Sequence, residues 1–272
     1  MLATAGGSFS DFAAVVAVAA AAEVVVFAVA FAWSRVAGKV CVVDVMWPAS
    51  FVVVAVATLV ASRHLHAGGT TVQLVVLAMV AAWGGRLAVH LYLRQRGGPE
   101  DRRYEAILRR ASPGKEVVFS VVAVFIPQAV LALVVSLPVS AAMVGATPIR
   151  WVAILGVAVF LVGLGFESVG DAQLAAFLAD PASDGKVLDT GLWAWTRHPN
   201  YFGDAAVWWG IWLVAAATGL GVATVIGPIM MTVLLTSVSG RPLLEKSMSK
   251  RREGFDAYVA RTSSFFPRPP RR

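Results

Sequence analysis

The chain has 272 residues, 58% of them hydrophobic and only 14% charged, and its mean hydropathy is +0.74. That balance excludes an ordinary water-soluble domain, which cannot keep so many apolar residues dry, and makes a bilayer the expected solvent. The formal net charge of +7 does not indicate a nucleic-acid partner, since no aromatic residues interleave with the cations; it fits membrane topology and contact with anionic lipid head groups.

Seven apolar runs follow in order, near 10–33, 40–62, 71–92, 117–143, 151–170, 202–218 and 221–239. As helices they approach the roughly 20 residues that cross a hydrocarbon core of about 30 Å. The first run lacks a basic flank and a small-residue cleavage site, so it reads as a span and not as a signal peptide. Asp11 and Glu23 leave its outer boundary soft. Pro127 and Pro138 predict a kink or a break in the fourth.

An odd number of spans puts the termini on opposite sides. Twenty of the 23 Lys and Arg lie at Arg35 and Lys39, in 94–115, at Lys186 and Arg197, and in the tail from Arg241. The other face has Arg63 and Arg150, and Arg86 lies inside the third span. The positive-inside rule therefore predicts a cytoplasmic C terminus and an outer N terminus. The expected fold is an all-α integral membrane protein of seven transmembrane helices in a bacterial-type cell membrane. It reads as a single domain, 1–272, without internal repeats.

The long polar segments 93–116, 171–200 and 240–272 share the cytoplasmic side, so a site for a polar ligand is expected to open there. In the tail, Pro242 predicts a helix to about Lys250, interrupted at Gly254 and followed by "FDAYVART". Phe265 and Phe266, beside arginines in the extended "FFPRPPRR", suit an interfacial anchor. The lone Cys41 excludes an internal disulfide and reads as packing. His64, His66, His90 and His198 form no zinc pattern, so no metal site is expected, and no obligate protein partner is evident. Neither a G-x-G-x-x-G after a strand nor a P-loop is present, which excludes a Rossmann domain and P-loop ATP hydrolysis.

Burying a charge in hydrocarbon costs roughly 2.5–3.5 kcal/mol on insertion scales, so each intramembrane charge needs a reason. Asp44 lies in the second span, Arg86 and His90 in the third, Glu167 closes the fifth and Asp204 opens the sixth. Trp83, Arg86, His90 and Arg94 share one helical face; Glu167 and Asp171 share another; Asn200, Asp204 and Trp208 share a third. Two readings are open. Arg86 paired with Asp44 or Glu167 would be ionic glue between helices, whereas the stripes together would line a polar pocket at the cytoplasmic end.

"TRHPNYFGD", Thr196 to Asp204, reads as a helix start at Pro199 with Asn200 available to early amides. Arg197 and His198 stand just before it, where free N–H groups attract phosphates. The alternative is a basic interfacial cap before an aromatic belt of Tyr201, Phe202, Trp208 and Trp209.

"FESVGDAQLAAFLAD", "DTGLWAWTRHPNYFGD" and "GRPLLEKSMSKRREGFDAYVARTSSFFP" together resemble the steroid 5-alpha-reductase-like membrane superfamily. The resemblance is strongest over a motif region of 160–267. "VDVMWP", "WGGRLAVHLYLR" and "GGPEDRRY" resemble a bacterial branch of it. The resemblance implies seven helices enclosing NADPH from the cytoplasm and an apolar lipid from the membrane, with hydride transfer to a C=C bond. It implies that Asn200 and Asp204, with Tyr201 beside them, hold the nicotinamide part and that Glu167 and Asp171 bind ribose or amide groups. Arg94, Arg96, Arg103, Arg197 and His198 would meet the phosphates, and Glu245 would close over the cofactor. Asp44 would be the substrate-side acid, alone or with His90, and Trp47, Trp83 and Arg86 would line the substrate pocket. Trp83 stands where the resemblance expects a tyrosine, and it cannot deliver a hydroxyl proton.

The sequence carries three functional readings. The first is an NADPH-dependent reductase of a steroid-like, polyprenyl or fatty acyl lipid. The second is an S-adenosylmethionine-dependent lipid methyltransferase; the resemblance implies a Glu-Glu pair early in the tail for that class, whereas "LLEKS" has one Glu. The third is a non-enzymatic lipid-binding membrane protein.

Overall fold

Ser8 sets the start of the first helix. Its hydroxyl accepts the Asp11 amide at 3.2 Å while the Asp11 carboxylate accepts the Ser8 amide at 2.8 Å, a reciprocal cap. Asp11 therefore belongs to the helix end and the soft boundary is resolved. A computed structural model describes residues 7–146, 148–238 and 254–270. Among them the architecture is helical with no strand, and six helical stretches are long and apolar enough to cross a membrane. The protein is a multi-pass membrane protein. Contacts divide the chain into two compact units, 1–153 with 214–227 and 154–213 with 228–272.

In the first unit, α1 (Phe9–Ala37), α2 (Val42–His64) and α3 (Thr70–Gln95) follow one another through short turns. α1 packs on α2 and α2 on α3. The buried stripe of α1 is Val15, Ala19, Glu23, Val26 and Ala30, spaced to face one neighbour. Glu23 is 2% exposed and accepts the Ser50 hydroxyl of α2 at 3.3 Å. Pro48 inside α2 removes an amide from the helix ladder, and Gly84 of α3 lies so close that a Cβ there would stand 2.6 Å from the Pro48 carbonyl oxygen. A short helix, α4 (Arg102–Leu108), follows α3.

The fourth apolar run stays one helical stretch, Glu116–Val144, but is irregular where its prolines predict a disturbance. It comprises α5 (Glu116–Ser120), a π turn (Val121–Phe125), α6 (Ile126–Val135) and α7 (Leu137–Val144). Pro127 and Pro138 each sit in a first helical turn, where a missing N–H costs nothing. The 3-10 turn Leu220–Val225 completes this unit against α7.

In the second unit, α8 (Arg150–Ala179) runs well past the predicted end at 170. Nothing interrupts it before Asp180 and Pro181, so Glu167 and Asp171 lie within the helix instead of at its close. α9 (Pro199–Ala216) starts at Pro199, three residues before the predicted sixth span. It is not among the six stretches above, because its first turns carry Asn200 and Asp204. α10 (Ile226–Val233) continues into a π turn, Leu234–Val238.

α8 and α9 cross through glycine. A Cβ on Gly163 would stand 2.6 Å from the Gly203 carbonyl oxygen and the Val207 amide. One on Gly210 would stand 2.7 Å from the Gly156 carbonyl oxygen, and one on Gly170 would stand 3.2 Å from the Asn200 amide. The two backbones therefore run antiparallel in near contact from Gly156 to Gly170, ~21 Å at 1.5 Å per residue. In a bilayer, where burial does not drive helices together, such close approach is a principal source of association.

The tail re-enters the described residues at Gly254, whose φ of 76° suits only glycine readily, and forms α11 (Phe255–Arg261). The helix expected from Pro242 to Lys250 lies outside the described residues.

Candidate functional site

The first unit gathers polar side chains around Asp44, in the first turn of α2. Arg103 Nη2 donates to its carboxylate at 2.8 Å, and the Tyr104 hydroxyl donates to the other oxygen. Gln128 Nε2, from α6, donates to the Tyr104 oxygen at 3.2 Å. Asp101 positions the group: it caps α4 by accepting the Arg103 amide at 2.8 Å and also takes the Arg103 side chain at 3.1 and 3.0 Å. α4 thus meets the Asp44 carboxylate directly and α6 reaches it through Tyr104, so the partner of Asp44 comes from α4 instead of the Arg86 that the sequence offered.

The electrostatics follow from burial and neighbours. Burial, then the charge and hydrogen bond of Asp44, hold the Tyr104 phenol well above its ordinary value, so the hydroxyl stays protonated. Burial alone would weaken the Arg103 cation, but Asp101 and Asp44 outweigh it and push its pKa up. Burial likewise opposes ionisation of Asp101, and the hydrogen bonds and charge of Arg103 reverse this, leaving it below the usual carboxylate range. The guanidinium also lies 5.5 Å from the Tyr104 ring centroid.

The other expected residues of this unit are distributed around α2 and α3. Trp83 is fully buried against Phe51, with ring centroids 5.6 Å apart, and an aromatic chain continues through Trp47 to Phe27. Trp83 is therefore part of the helix core. Arg86 and His90 are half-buried one turn apart on α3, and Arg94 is exposed near its end, where its charge helps ionise Asp101. Arg96 is exposed and shares a recess with Lys39.

The second unit holds the other cluster. Glu167 and Asp171 are buried on α8, 2% and 6% exposed, and Asn200 Nδ2 of α9 donates to Asp171 Oδ1 at 3.2 Å. Asn200 Oδ1 accepts the Tyr201 amide at 3.1 Å, so the carboxamide is fixed at both ends. Asp204 follows one turn later on the same face. His198 is buried and stacks on Tyr201, rings 5.3 Å apart and nearly parallel.

The Arg197 side chain reaches the tail. Its Nη1 donates to the Val259 and Thr262 carbonyls at 3.1 and 3.0 Å, satisfying the C-terminal end of α11. The loop before α9 and the tail are laced together around it. The Arg197 amide donates to Ser263 O, Thr196 Oγ1 donates to Phe265 O, Arg268 N donates to Trp195 O, and Tyr258 Oη donates to Trp193 O. Arg261 also pairs with Asp189. Of the expected aromatic anchor, Phe265 is buried and Phe266 is exposed. The arginine of "TRHPN" therefore acts as a clip for the tail. Arg197→Gln is expected to accelerate limited proteolysis within 254–268 roughly tenfold, the worth of a charged hydrogen bond. Arg268→Gln, whose contact to Trp195 is through backbone, should change nothing. Equal cleavage of both variants and wild type would remove the clip.

The chain matches, over residues 30–262, the family model described as "Protein of unknown function (DUF1295)". It belongs to the DUF1295 family. The DUF1295 match spans both polar clusters. No curated protein and no solved structure matches the chain.

Sequence reasoning missed Tyr104, Gln128 and Asp101. Tyr104 was visible only as part of "GGPEDRRY", and nothing local signals that its hydroxyl meets a carboxylate 60 positions earlier. Glu245 lies outside the described residues.

Proposed function

We propose that the protein is an NADPH-dependent membrane reductase of a C=C bond in an apolar lipid. The observation that carries the reading is the Asn200–Asp171 pair: a carboxamide fixed by a buried carboxylate, with buried Glu167 on the same helix and Asp204 one turn on. Such a set of acceptors and one oriented amide fits the carboxamide and ribose hydroxyls of a nicotinamide nucleotide. It fits the phosphates less well, since Arg103 and Arg197 are both occupied by protein groups. Bound there, the cofactor would supply a hydride. The chain itself must hold that half of the nucleotide and supply a proton. Tyr104, hydrogen-bonded to Asp44, is the proton-carrying hydroxyl absent at Trp83. Within the first unit it is the group best arranged to give up a proton, with Asp44 orienting it.

The same proposal includes seven crossings, with α9 as the additional one, an outer N terminus and a site open to the cytoplasm. The glycine contact of α9 with α8 over ~21 Å supports the crossing, and the one-sided distribution of cations supports the orientation.

Thermal shift of detergent-purified protein with NADPH, NADH or S-adenosylmethionine tests the class. Selective stabilisation by NADPH is expected, and Asn200→Ala should weaken NADPH affinity about tenfold while insertion persists and the unliganded Tm falls modestly, since buried Asp171 loses a donor. Stabilisation by S-adenosylmethionine alone would replace the reading with a transferase. An unaltered NADPH affinity in Asn200→Ala would remove the carboxamide from the site.

A further inference from the structure

The first unit carries a recess of about 190 Å³ where α1 ends, α2 begins and α3 ends. Its apolar wall comes from Ala37, Val42 and Val45, and its polar edge from Lys39 and Arg96. Trp33 and Tyr92 form an aromatic pair in it, ring centroids 6.4 Å apart. Lys39 is fixed in place because its ammonium donates to the Gly98 carbonyl, which leaves further N–H groups for a ligand.

The sign of the recess is decided by Glu100. Its carboxylate accepts the amides of Val40, Cys41 at 2.9 Å and Asp101 at 3.0 Å. Three backbone donors hold that charge in place without cancelling it. Lys39 and Arg96 both line the recess and outnumber it two to one, which leaves the recess net positive. Near the same ends of α1 and α3, Val36, Val89 and Leu93 are 89%, 58% and 60% exposed, as suits side chains that face lipid. Cations above an aromatic pair, above exposed aliphatic side chains, reproduce the layering of a membrane interface within one concavity.

We infer that this recess holds the phosphate head group of an anionic membrane lipid between Lys39 and Arg96, with the acyl chains leaving over Trp33 and Tyr92. The two cations proposed to hold the head group belong to neither the Asn200 cluster nor the Asp44 cluster, so the inference is tested apart from the reductase reading.

The test is native mass spectrometry of the full chain released from micelles doped with phosphatidylglycerol or phosphatidylcholine. Wild type is expected to retain phosphatidylglycerol selectively. Lys39→Gln with Arg96→Gln should cut that retention roughly tenfold or more, as expected for two interfacial cations, and Lys39→Arg should preserve it. Equal retention of both lipids by wild type, or no loss in the double variant, overturns the proposal. Retained lipid together with a lost response to NADPH or inorganic phosphate would give the recess to a soluble phosphate and also overturn it. Should the double variant fail to fold, a photoactivatable phosphatidylglycerol on wild type decides: labelling of the peptides 33–45 and 92–97 is expected, and labelling elsewhere alone refutes the site.

Discussion

Tyr104→Phe is expected to slow turnover by roughly a hundredfold or more while leaving stabilisation by NADPH intact, the usual loss when a general acid is removed. Only one oxygen is deleted, and the ring beside Arg103 is kept. That oxygen is the centre of a directed chain, with Gln128 donating into it and its own proton resting on Asp44. Burial and the Asp44 charge hold the phenol protonated well above its ordinary range, so ionisation of Tyr104 should not limit activity on the alkaline side below about pH 9. Asp44→Asn should also slow turnover without weakening the cofactor, through loss of the acceptor that orients the hydroxyl. NADPH oxidation with a conjugated enone lipid that wild type reduces is the assay. Unchanged turnover in Tyr104→Phe would dismiss the acid. A folding defect, with NADPH response lost in both variants, would show the cluster to be a structural lock between α2, α4 and α6.

How much of this was legible depends on range. Hydropathy located the six stretches that are long and apolar enough to cross a membrane, because a bilayer forces the same solution on any 20 apolar residues. Pro127 and Pro138 announced the irregular fourth run, since the loss of an amide is a local fact. Helical spacing placed Glu167 with Asp171, and Asn200 with Asp204. What spacing could not show is which stripe meets which. Asn200 reaching Asp171, Tyr104 reaching Asp44 and Arg197 reaching the end of α11 join residues 29, 60 and 62 or more positions apart. The family resemblance implied phosphate binding by Arg103, whereas in the structure its guanidinium pairs with the carboxylates of Asp101 and Asp44. Glycine was the weakest signal. In a chain with 24 of them, the spacing of seven that links Gly156, Gly163 and Gly170, and again Gly203 and Gly210, is invisible until two helices are laid together.

That spacing carries the second large effect. In a helix, glycine to alanine ordinarily gains up to ~1 kcal/mol, and Gly165→Ala should show such a gain or no change, because nothing lies within 4 Å of its new methyl group. Gly163→Ala and Gly203→Ala should do the reverse. At Gly163 the methyl would meet the Gly203 carbonyl oxygen and the Val207 amide at 2.6 Å; at Gly203 it would meet the Gly163 carbonyl oxygen at 2.6 Å. These are backbone atoms of paired helices, which cannot swing aside as a side chain does, so α8 and α9 must separate. Overpacking of this kind costs about 1–3 kcal/mol or more, read as a lowered Tm in detergent. The functional consequence follows from position. Gly163 and Gly203 lie one turn from Glu167 and Asn200, respectively, so separation lengthens the Asn200–Asp171 hydrogen bond now at 3.2 Å. Both alanine variants should therefore lose NADPH stabilisation more steeply than they lose Tm, whereas Gly165→Ala keeps both. A Tm equal to wild type in Gly163→Ala and Gly203→Ala would mean that the close crossing is not formed. A lowered Tm with full NADPH affinity would detach the nucleotide from the pair that this crossing holds together.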